Sequence, residues 1–72
     1  MSRQQLFDAM VSRMFVSLYS RHFQTNLCGY INGIAVEDGS GFSFIVKLNT
    51  KVVDDFYGEV YKNIDMYYRC NS

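Results

Sequence analysis

With 72 residues and a formal net charge of zero, the chain has room for one small domain, residues 1–72. A domain this short buries roughly 60% of its unfolded surface and usually needs a disulfide, a metal or a partner chain to be secure. Two cysteines, one histidine and a balanced charge exclude a disulfide-dense scaffold, argue against a zinc cage and provide no basic field for nucleic acid.

Ser2-Arg3-Gln4-Gln5 fits a capping box, with Ser2 as N-cap and Gln5 at the third helical position. From there an apolar stripe at helical spacing runs through Leu6, Phe7, Met10, Val11, Met14, Phe15, Leu18 and Tyr19. It predicts a first helix to about Phe23, ended near Asn26. The apolar belt is wider than a core-facing stripe needs. It therefore expects cover from the rest of the chain or from a second copy.

Residues 29–49 alternate instead. Tyr30, Asn32, Ile34 and Val36 share one predicted face, and Phe42, Phe44, Val46 and Leu48 share another. Glu37 to Gly41 reads as the turn of a hairpin. A three-residue loop of Asp38, Gly39 and Ser40 matches the apolar rows and sets Val36 opposite Phe42 and Ile34 opposite Phe44. Gly29 and Gly33 read as places where a helix approaches the sheet closely.

Thr50 then caps a second predicted helix, with Asp54 and Asp55 near its positive end. Its stripe is Val53, Phe56, Tyr57, Val60, Tyr61, Ile64, Tyr67 and Tyr68, with Phe56, Val60 and Ile64 at the centre as core. Gly58 falls mid-helix, at a cost of about 1 kcal/mol relative to alanine. Residues 59–70 also alternate, which gives an α-β-β-β variant, but the helical match is longer. The fold expected is thus α+β, in the order α-β-β-α: two amphipathic helices packed on an antiparallel β-hairpin.

Little in the chain resembles a catalytic set. A Cys28–His22 pair lacks a glycine-rich elbow or helix start after the cysteine. Cys28, Cys70 and His22 have no paired metal-ligand spacing. Gly29, Gly33, Gly39 and Gly41 match no phosphate-binding fingerprint. The expectation is no enzyme, no cofactor and no metal. The polar Met-Ser-Arg-Gln-Gln start has no export signal and no apolar run reaches membrane length, so the expected place is the cytoplasm, away from membranes.

What remains is binding. The expected function is a small non-enzymatic protein-interaction module, for example an inhibitor from a phage or mobile element that binds a host or defence protein. Its expected partner is a protein, with the chain itself a homodimer. Tyr57, Tyr61 and Tyr68 lie along a margin of the second stripe beside Asp54 and Asp65, and these five are the expected partner-binding residues. A small nucleic-acid-binding or regulatory protein is the alternative. Arg3, Arg13, Arg21, Lys47 and Lys51 would serve it, but they do not cluster on one helical face.

Overall fold

The computed structural model describes residues 1–36 and 38–70. One short helix, α1 (Arg3–Val11), is followed by four strands: β1 (Phe15–Ser20), β2 (Thr25–Val36), β3 (Ser43–Asp54) and β4 (Gly58–Arg69). They form one antiparallel sheet in the order β1-β2-β3-β4, each strand beside its neighbour in sequence. This corrects the expected α-β-β-α architecture. The second helix is the β3–β4 hairpin, and the back half of the first is β1. The α-β-β-β variant is closer to the result, with one strand more.

The start of α1 follows the sequence directly. Ser2 Oγ accepts from the Gln5 backbone N–H, while Gln5 Oε1 accepts from the Ser2 N–H, so the capping box is complete. Leu6 and Ala9 are buried, with Met1, Phe7 and Met10 packed at the core's margin. The helix stops after Val11 rather than at Phe23. Met14 N–H donates to the Ala9 carbonyl and Arg13 N–H to the Met10 carbonyl, the paired bonds of a Schellman terminator. Arg13 takes the left-handed position at φ 53°. A side chain there costs about 1–2 kcal/mol that glycine avoids. Arg13→Gly should therefore raise stability by about 0.5–1 kcal/mol, once the extra entropy of an unfolded glycine is subtracted. Urea unfolding of the two proteins measures this, with an unchanged m-value expected.

Beyond the terminator the pattern has period two. In β1, Val16, Leu18 and Ser20 are buried, and Phe15, Ser17 and Tyr19 are exposed. Strand pairing carries the inward row across the sheet through Val16 opposite Gly29 and Gly29 opposite Thr50. The core is Leu6 and Ala9 of α1 against Val16, Leu18, Ile31, Phe44, Val46, Leu48 and Met66, with Cys70 at one end. The sheet coils enough to bring β1 near β4 without pairing.

Two local features shape β2. A bulge between Ile31 and Gly33 inserts Asn32 as an extra residue. It moves Ile31 onto the inner face with Ile34, while Tyr30 stays on the outer one. The expected grouping of Tyr30 with Ile34 assumed an unbroken strand and is overturned here. At Gly29 the strands are pressed together so closely that a Cβ would overlap the Asn49 carbonyl oxygen. Gly29 thus admits a neighbouring strand, not a helix. Past this point β2 and β3 separate, and the Thr50 hydroxyl donates to the Cys28 carbonyl at 2.7 Å. Thr50 is a buried strand residue, not a helix cap.

The β2–β3 hairpin keeps Ile34 and Val36 on the face of Phe44, Val46 and Leu48 but not the expected register. Val36 lies opposite Phe44 and Ile34 opposite Val46, a shift of two residues. Two-residue shifts preserve the faces, so burial alone does not choose between these registers. The longer connection is organised by Asp38, whose carboxylate accepts from the Ser40 N–H and hydroxyl, while Ser40 Oγ accepts from Phe42 N–H. Glu37, counted in the predicted turn, lies outside the described residues.

Candidate protein-interaction surface at the hairpin tip

The β3–β4 pairing runs without a bulge from Ser43 opposite Arg69 to Asp54 opposite Gly58. Its last turns of ladder, beyond Thr50, are not paired with β2. The end of this hairpin is where large apolar side chains are most exposed: Val53 at 81%, Phe56 at 91% and Tyr57 at 82%.

The turn is ordered from within. Asp54 Oδ1 accepts from the Phe56 N–H at 2.8 Å and from the Tyr57 N–H at 3.0 Å. Gly58 closes the turn at φ 73°, a conformation that favours glycine. These two backbone bonds are the main reason that the Asp54 carboxyl is held below its ordinary range, with Lys62 adding to the effect. Ion pairs brace the ladder behind the turn, Lys51 to Glu59 at 2.9 Å and Lys62 to Asp54 at 3.7 Å. The hydrogen bond and charge of Glu59 raise the Lys51 pKa. Both bridges are exposed, so their contribution to stability is small.

The five residues expected to bind a partner do not converge on one flank. Asp54 shapes the turn, Tyr57 stands at its tip and Tyr61 projects from the outer face of β4. Asp65 is farther along that face, across from Lys47. Tyr68 lies on the inner face at the other end of β4, where its hydroxyl accepts from the N-terminal ammonium of Met1 at 2.8 Å. Burial raises the Tyr68 pKa above its usual value, with Cys70 a lesser cause. Phe56, expected in the core, is the most exposed large apolar side chain at the tip. Its signal was local: Asp54 and Gly58 bracket three residues, which reads as a hairpin turn once the flanks are taken as strands.

The outer face of the sheet is the other conspicuous surface. Phe15, Tyr30, Ile45 and Tyr67 are exposed on it, and Phe15 and Tyr30 meet edge to face with centroids 5.4 Å apart. In the middle, Asn63 Oδ1 accepts from Asn32 Nδ2 at 2.7 Å and from Asn49 Nδ2 at 3.0 Å. A cleft of about 740 Å³ lies beside this cluster, lined by Met10, Arg13, Tyr30, Asn32 and Asn49 among others. Its asparagines already donate to Asn63, which reduces what they offer a ligand.

Among the described residues no three His, Cys, Asp or Glu groups are placed to hold a metal. Cys28 and Cys70 are free, the first exposed and the second buried, and burial raises the Cys70 pKa. His22 sits in the β1–β2 turn with its ring edge-on to Phe23. Among the described residues no hydrogen bond joins it to Cys28. No helix there is long and apolar enough to cross a membrane. Comparison of the chain with protein-family models, curated proteins and solved structures gives no match.

Proposed function

We propose that this chain is a non-enzymatic protein-interaction module, working as a homodimer, that engages a protein partner through the tip of the β3–β4 hairpin. The observation that carries the reading is the exposure of Phe56 and Tyr57 on a turn held by Asp54 and Gly58. Aromatic side chains supply much of the binding energy at interfaces. A turn that is already ordered loses little entropy on docking. Residues 51–62 carry Lys51 and Lys62 against Asp54, Asp55 and Glu59, a net charge of −1. That sign steers the tip toward a basic rim around an apolar pocket. An inhibitor that blocks its target by filling such a pocket is the simplest form of this activity.

Affinity purification from the native host, with the parent and with a Phe56→Ala, Tyr57→Ala double variant, tests the proposal. Both positions are solvent-facing, so the variant should keep its stability within about 0.5 kcal/mol per substitution. Partner recovery should fall at least about tenfold, the effect of a lost hot spot. A variant that folds normally and recovers the same partner as well as the parent overturns the hairpin-tip assignment.

A further inference from the structure

We infer that two copies of this chain join through β4, antiparallel across a two-fold axis at Ile64, to make one continuous eight-stranded sheet. This rests on the homodimer proposed above and adds its interface and register.

Among the described residues β4, the last strand of the sheet, pairs only with β3, so its other edge is unpaired, though β1 comes near part of it. It has no proline and no bulge, two of the usual protections of an edge; its charged residues are Glu59, Asp65 and Arg69 on the outer face and Lys62 on the inner one. Glu59, Tyr61, Lys62, Asn63, Asp65, Tyr67 and Arg69 are all exposed along it. By contrast, β1, at the opposite edge, is six residues long.

A two-fold axis normal to the sheet keeps each face continuous. Opposed residues then lie on the same face, as antiparallel pairing requires. With the axis at Ile64, Glu59 faces the other copy's Arg69, an opposite-charge pair formed twice. Tyr61 faces Tyr67, and Asn63 faces Asp65, an amide donor against a carboxylate. On the inner face Val60 meets Tyr68, Lys62 meets Met66, and Ile64 meets itself. Every one of these identities is read from the single strand sequence.

Neighbouring registers lose this match. An axis at Asn63 sets Glu59 against Tyr67 and Tyr61 against Asp65, so both the opposite-charge pair and the aromatic pair are lost. An axis at Asp65 sets two Asp65 carboxylates against each other, and one at Lys62 sets two ammonium groups together. Like charges directly opposed destabilise a strand pair, whereas opposite charges and aromatic pairs support it. The Ile64 axis also lies at the middle of residues 59–69, so almost the whole strand is used. Tyr61 and Asp65, expected from the sequence to contact a partner protein, fall in this interface. The hairpin tip remains free at both ends of the joined strands.

The test is cross-linking in a Cys28→Ser background, which removes the exposed thiol. Ile64→Cys should form a disulfide-linked dimer under mild diamide oxidation. Tyr61→Cys and Tyr67→Cys should cross-link when the two variants are mixed, and neither should do so alone. Glu59→Arg should weaken the dimer by roughly tenfold in analytical ultracentrifugation, and adding Arg69→Glu should restore it. Circular dichroism confirms that each variant keeps its sheet. A parent chain that sediments as a monomer at high micromolar concentration overturns the dimer itself. A dimeric parent with no cross-link at Ile64 overturns the β4 interface alone, and loss of partner binding on changing Phe56 and Tyr57 is read independently of both.

Discussion

Phe44→Ala should remove a large part of the chain's stability. Phe44 is 1% exposed, meets Phe7 edge to face at 5.7 Å and lies between Val36 and Tyr68 in the strand ladders. Truncating a buried phenylalanine costs about 3–5 kcal/mol, through lost transfer energy and the cavity left behind. A domain of 72 residues has a total stability on the order of 4–11 kcal/mol. One substitution therefore consumes a large part of it. The ring also joins α1 to the sheet through Phe7, so helix and strands should be lost together. Circular dichroism and urea unfolding would show this as a single transition moved to much lower urea. A variant within about 1 kcal/mol of the parent would mean that Phe44 is not at the centre of the core.

Gly29→Ala should be nearly as damaging, for a different reason. The added methyl carries only about 0.8 kcal/mol of hydrophobic value, but its position is already taken by the Asn49 carbonyl oxygen. That oxygen belongs to backbone and cannot rotate aside as a side chain would. The β2–β3 strands must separate where Gly29 opposes Thr50, disturbing the buried Thr50 and its bond to the Cys28 carbonyl. Overpacking of this kind costs roughly 1–3 kcal/mol, and the broken ladder adds to it. Gly33→Ala is the control. Its Cβ would meet only the Lys47 Cβ at 3.8 Å, an ordinary contact. Equal effects at the two positions would refute the crowding argument, since crowding destabilises at Gly29 alone while the backbone-entropy gain of a glycine-to-alanine change is common to both.

Parts of this molecule were legible without coordinates. The capping box identified the beginning of α1 because its partners are three residues apart and need nothing distant. The shared face of Phe44, Val46 and Leu48 followed from strict alternation, and all three are buried in β3. The exposure of Tyr57 agrees with its place at the margin of an apolar stripe, though it stands on a turn rather than on a helix.

The two stretches expected as helix and found as strand share one cause. Residues spaced by four share a face in a helix, where they are rotated by about 40°, and in a strand, where they differ by an even number. Met10, Met14 and Leu18 follow this spacing, as do Phe56, Val60, Ile64 and Tyr68. For such sets neither period has priority. Local chemistry did hold signals for strands. Val60, Tyr61, Ile64, Tyr67 and Tyr68 are β-branched or aromatic, and Gly58 suits a turn better than a helix interior. Their individual contributions are small beside a long apparent stripe.

By itself, then, the sequence determined a small single chain with a capped N-terminal helix, a central hairpin with its apolar faces and no dense charge. Only the tertiary structure decided that residues 15–20 and 58–69 are strands, that Asn32 bulges and that Phe56 faces solvent. The physical reason is that a strand is completed by hydrogen bonds to another strand. Those partners, residues 25–30 for β1 and 43–54 for β4, cannot be read from the periodicity of either segment alone.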